Sequence, residues 1–74
     1  MVVEIELFGQ LQSQVPRCQT LQIEESTTIK EVALRLGINL NFVGLMFLNG
    51  VQCEEDELIT TDGRLCFFPF MSGG

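Results

Sequence analysis

The stretch TIKEVALRLG, from Thr28 to Gly37, sets the terms for the rest of this chain. Thr28 and Glu31 stand three apart, the spacing at which a hydroxyl and a carboxylate each satisfy a free backbone N–H at a helix start. Behind them Ile29, Val32, Ala33 and Leu36 fall at i, i+3, i+4 and i+7, one apolar stripe. Gly37 follows where a helix stops on a residue tolerant of positive φ. A helix of about two and a half turns is too short to persist alone in water. It must lie on a sheet.

The flanking sequence supplies one. Val3, Ile5 and Leu7 alternate with Glu4 and Glu6, a period of two that predicts a half-buried strand close to the first residue. Gly9 and the polar stretch from Gln10 to Arg17, with Pro16, read as a connection. Leu21 and Ile23, set among Gln22 and Glu24, predict a short second strand that pairs with the first as a hairpin. Leu45-Met46-Phe47-Leu48 is apolar throughout and predicts a third, central strand. Asn49-Gly50 is a strong hairpin signal, because a type I′ turn needs φ > 0 at both central residues. Val51-Gln52-Cys53 returns as a short strand, Asp62-Gly63 is a further turn, and Arg64 to Phe70 is the last strand. Two strands, a helix and three strands, with the helix on one face of a mixed sheet, make an α+β architecture. The first and last strands are long enough to be central neighbours.

Composition limits what such a fold does. The 74 residues make one domain, with little core from which to build a deep catalytic cleft. Ten acidic and four basic residues leave a net charge of −6, which disfavours nucleic acid and anionic membranes and favours a basic protein partner. There is no histidine, no nucleophile-and-base spacing and no phosphate-binding loop, so the chain is not expected to be an enzyme by itself. Cys18, Cys53 and Cys66 have neither disulfide-framework nor zinc spacing, and are expected to fill apolar positions as small hydrophobes. Glu54-Glu55-Asp56-Glu57 lacks the alternating ligands and turn glycine of a calcium loop and reads as a solvated loop. No metal is expected. The start has no signal-peptide pattern and the apolar runs are too short to span a membrane, so the expected location is the cytoplasm.

The sequence ends FFPFMSGG. With Leu7-Phe8 and Gln10, Thr28-Ile29 and Glu31, Leu48-Asn49-Gly50, Asp62-Gly63, Phe67-Phe68-Pro69 and Ser72-Gly73-Gly74, it resembles the ThiS/MoaD family of ubiquitin-related sulfur carriers. The likeness runs the length of the chain, and the tail is its distinctive part. Phe-Phe-Pro is most similar to the small subunit of molybdopterin synthase. Phe70 stands where that subunit often has a second proline, and the segment between Gly63 and Phe67 is one residue shorter. The resemblance implies a β-grasp fold over residues 1–70, with four to five strands and one main helix, and a flexible tail over 71–74. It also implies that no cofactor is bound. A ubiquitin-activating-type adenylyltransferase would use MgATP to adenylate the Gly74 carboxylate. A sulfurtransferase or cysteine desulfurase would supply sulfur to make the thiocarboxylate. An acceptor enzyme such as a molybdopterin synthase large subunit would then receive the sulfur.

To reach an adenylation site, Met71, Ser72 and Gly73 would thread into the partner. Glycine allows the close backbone approach this needs, and Phe70 to Gly74 extend over about 17 Å. Strand parity places Phe8 opposite Val3, Ile5 and Leu7. In the last strand, Leu65 and Phe67 facing inward turn Cys66, Phe68 and Phe70 outward. Phe8, Phe68 and Phe70 are therefore the candidate docking residues, since an exposed apolar patch marks an interface. Three alternatives stay open: sulfur for thiamine or another metabolite, a protein modifier joined through Gly74 to target lysines, and a binding module with no C-terminal chemistry.

Overall fold

The computed structural model describes residues 1–9, 11 and 16–70, and within them a single sheet carries one helix on one face. Strands β1 (Val2–Leu7) and β2 (Cys18–Gln22) precede helix α1 (Ile29–Leu36). A 3-10 turn at Leu40–Phe42 leads into β3 (Val43–Leu48), β4 (Val51–Cys53) and β5 (Gly63–Pro69). The order across the sheet is β2-β1-β5-β3-β4. β1 and β5 run parallel, with Ile5 opposite Leu65 and Leu7 opposite Phe67. The other neighbours are antiparallel.

One face of each strand builds the core. Val3, Ile5 and Leu7 of β1 and Leu65 and Phe67 of β5 are fully buried against Ile29, Val32 and Ala33 of α1. Ile23, Ile38, Val43 and Ile59 close the ends of this layer. Leu11 is also core, at 2% exposure, although its neighbours in sequence are polar and the whole segment reads as a connection. A lone leucine in a polar stretch has no period to betray it.

The helix ends account for their backbone donors. The Ile29 and Lys30 N–H groups donate to the carbonyls of Glu57 and Glu55, and the Glu31 N–H donates to Thr28 Oγ1. Glu31 Oε1 in turn accepts from the Thr28 N–H, completing the expected box. The acidic loop is thus more than solvated. Its side chains are exposed, but two of its carbonyls close the helix start, where negative charge also favours the dipole.

Asn49 and Gly50 both have positive φ, +53° and +83°, as the hairpin between β3 and β4 requires. Asn49 also ties this hairpin to β5, because its N–H donates to the Arg64 carbonyl and its Oδ1 accepts from the Arg64 N–H. Asp62 Oδ1 accepts from the Val2 N–H. The two turns therefore fix the starts of β5 and β1 together.

One expectation is corrected. The second strand begins at Cys18 rather than near Leu21, because β1 offers it a full ladder from Val2 to Glu6. β3 is an interior strand, as its apolar run predicts, and its outward residues are open: Leu45 is 43% exposed, since the single helix covers only one face of the sheet.

Candidate functional site

The uncovered face of the sheet carries the candidate site. Phe8 follows β1, and its N–H donates to the Phe67 carbonyl, so its side chain leaves the sheet opposite the core residue Leu7. Phe68 leaves β5 on the same side. The two rings stack, with centroids 4.4 Å apart and planes 7° from parallel. Phe47 of β3 meets the edge of Phe68 at 5.5 Å and 83°. Offset-stacked and edge-on pairs are the favoured aromatic contacts. All three rings are half-buried, because they shield one another while facing solvent. Leu45, opposite Phe68 in the ladder, extends the patch.

Phe47 was not among the sequence candidates. Its signal was present but weak: in a strand apolar on both faces, only the pairing of Phe47 with Cys66 tells which face it joins.

Phe70 is placed differently from the expectation. It is 60% exposed but has no ring partner among the described residues of the patch. It lines a groove with Leu40, Val43, Gly44, Met46 and the loop at Glu54 to Asp56. A register shift between Val43 and Leu45 and the hydrogen bond from the Phe70 N–H to the Phe42 carbonyl break the alternation there.

Next to the rings lies a charged cluster. Glu6 reads in sequence as a solvent-facing partner of Glu4, yet it is only 8% exposed. It sits between β2 and β5, opposite Cys18 and Cys66, and the guanidinium groups of Arg17 and Arg64 cover it. Arg64 pairs with Glu6 Oε1, and Arg17 Nη2 stands 3.5 Å from Oε2. Both arginines are more than half exposed, so water screens the pair and its main effect is to set positive charge against a carboxylate already covered.

The cysteines do not behave alike. Cys53 packs at the core margin, as a small hydrophobe would. Burial, together with the Glu57 and Glu54 carboxylates, pushes its thiol above the ordinary range, which suppresses the thiolate and its reactivity. Cys66 is half-buried on the outer face. Cys18 is exposed at the end of edge strand β2, which corrects the reading of all three as apolar fillers. Met71, Ser72, Gly73 and Gly74, the expected reactive and inserting residues, lie outside the described residues, as does Gln10.

Against solved structures, the chain superposes over its whole length, and over the whole of the other chain, on SAMP1 from Haloferax volcanii, with TM-score 0.74 and 22% identity. The fold is the ubiquitin-like β-grasp. The β-grasp is shared with a second structure of the H. volcanii small archaeal modifier protein 1, at TM-score 0.72 and 18% identity over 92% of this chain and 95% of that one. It is shared too with a putative molybdopterin converting factor, subunit 1, from Pyrococcus furiosus, at TM-score 0.71 and 16% identity over the same shares. No family model matches the chain, and no curated protein matches it in sequence. Among the described residues, no helix of this β-grasp is long and apolar enough to cross a membrane.

Proposed function

We propose that this chain is a sulfur carrier whose last residue, Gly74, bears the reactive group. An adenylyltransferase of the ubiquitin-activating type docks on the Phe8, Phe47 and Phe68 rings and receives the segment beyond Phe70. A Gly74 carboxylate oxygen attacks the α-phosphorus of MgATP, and pyrophosphate leaves. The resulting acyl-adenylate carries a good leaving group where the carboxylate had a poor one. With hydrosulfide, attack at the acyl carbon expels AMP and gives the thiocarboxylate directly. With a persulfide on a sulfurtransferase or cysteine desulfurase, the same attack gives an acyl disulfide. A second donor thiol then cleaves it, releasing the thiocarboxylate and leaving the donor oxidised to a disulfide.

The observation that supports this reading is a shared strand. β5 carries Phe68 in the patch and ends at Pro69, and Phe70 follows two residues after Phe68, a span of about 7 Å. A partner seated on the rings therefore lies beside the start of the segment that ends in Gly74. Sulfur transfer into a molybdopterin is the favoured destination, with an enzyme such as a molybdopterin synthase large subunit as acceptor. The Phe67-Phe68-Pro69 stretch and the likeness to a putative molybdopterin converting factor subunit support it. Thiamine or another metabolite is the alternative destination. A second reading, a modifier joined to lysines through Gly74, is favoured by the likeness to a small archaeal modifier protein.

The deciding measurement is the intact mass after incubation with MgATP, a sulfur donor and lysate of the source cell. The expected result is a gain equal to replacing one oxygen by sulfur, lost when Gly74 is deleted. Higher-mass adducts through Gly74 would instead establish the modifier. No change, in a lysate that thiolates a known carrier, would refute both.

A further inference from the structure

Pro69 and Phe70, the last described residues, are flanked by two glycines. On one side is Gly9, at φ +60°, where a Cβ would lie 2.7 Å from Pro69 Cγ and 3.3 Å from Cδ. On the other is Gly44, where a Cβ would lie 3.0 Å from the Pro69 carbonyl oxygen and 3.1 Å from Phe70 Cα. Non-bonded carbon contacts are optimal at roughly 3.5–4.0 Å, so a Cβ at Gly9 would displace the proline ring, and one at Gly44 would need the facing backbone to give by a few tenths of an ångström. They differ in kind. At Gly9 the obstacle is a ring, whereas at Gly44 it is backbone, which yields only if the strand moves. Gly44 is also where the β3–β5 register slips, with Val43 opposite Pro69 and Leu45 opposite Phe68. Pro69 has no N–H to give to the ladder. The next donor, the Phe70 N–H, bonds to the Phe42 carbonyl at 2.9 Å. The chain thus passes from the sheet to the 40–42 turn at one fixed point.

We infer that Gly44, with Gly9 and Pro69 opposite, forms a positioning collar that fixes where the C-terminal segment leaves the body, and so governs transfer at Gly74 rather than partner binding. This inference rests on the carrier reading. Gly44 lies outside the left-handed region, so its backbone suits any residue and only the space for a side chain is short. Glycine weakens a strand interior and commonly marks a bulge or a close backbone approach. Here it lets the root of the reactive segment sit against β3. A carrier needs that closeness, because a misplacement of about 1 Å at a reacting group can cost on the order of 100-fold in rate.

The test uses Gly44→Ala and the adenylyltransferase of the same cell, purified by its ATP–pyrophosphate exchange with the unmodified chain. The collar predicts faster hydrogen exchange at the Phe70 amide and a kcat lowered by about 10- to 100-fold. KM should stay within about twofold, because the rings that dock are untouched. Pro69→Ala adds no bulk and withdraws the ring from Gly9; it should move both readouts the same way, and it decides alone if Gly44→Ala does not fold. An unchanged kcat beside faster Phe70 exchange overturns the collar, as does a rise in KM alone. Loss of folded protein without a kcat change per folded molecule makes Gly44 merely structural. An unmodified chain that is never adenylated refutes the carrier reading and the collar's role with it, a result distinct from any variant effect.

Discussion

Phe8 is one residue past the point where β1 ends, and its parity decides what kind of surface the molecule presents. Had the register been shifted by one, its ring would be core and Leu7 would face solvent. As placed, it stacks on Phe68 and completes an apolar patch beside the charges of Glu6, Arg17 and Arg64. Phe8→Ala is expected to weaken binding of the activating or acceptor partner by about 30-fold or more, on the order of 2 kcal/mol, as for a central aromatic in an interface. Its effect on the thermal midpoint should be small, because the ring lies outside the core. Titration calorimetry against the partner checks the first, a thermal melt the second, and an unchanged affinity would remove Phe8 from the interface. The sequence pattern made Phe8 and Phe68 legible as outward residues, since each neighbours a strongly apolar inward one. It could not reveal Phe47, in a strand without alternation, or the covering of Glu6 by side chains from two other segments.

Among the elements, α1 was the most legible part of the chain because its signals are local. The cap, the stripe and the stop fall within ten residues, and each acts through contacts between near neighbours. Thr28→Ala removes the acceptor for the Glu31 N–H and should cost about 1 kcal/mol. In a domain of this size, that corresponds to a fall of roughly 4–8 °C in thermal midpoint. Thr28→Ser should restore most of it, and a melt of the three proteins would show whether the cap is worth what its geometry implies. The support from Glu55 and Glu57 carbonyls was not legible, because it joins residues more than 20 positions apart and involves backbone, not side-chain identity.

Across the molecule, the last strand is the keystone. β5 lies between β1 and β3, so the first and last segments of the fold are direct neighbours. Its Leu65 and Phe67 are fully buried, and removing it parts the β2-β1 hairpin from the β3-β4 hairpin. A chain ending at Asp62 is therefore expected not to fold, with lost cooperative melting and rapid proteolysis, even though it retains the helix and both hairpins. Persistence of a cooperative transition in that fragment would show that β5 is dispensable. The arrangement also ties the fold to the candidate site, because the strand that closes the core is the one that carries Phe68 and ends at Pro69.

Spacing along the chain was enough to define the helix and its ends, the turn at Asn49-Gly50, the inward set on the first and last strands, and the order of elements. The period is 3.6 for the helix and 2 for the strands, and the turn rests on the chemistry of adjacent residues. Tertiary packing was needed to show that Leu11 is core, that Phe47 joins Phe8 and Phe68, that Phe70 turns away from them, and that Gly44 lies against Pro69. Those facts arise from strand register and from contacts between distant segments. A slip of one residue reverses every side chain without altering the sequence at all.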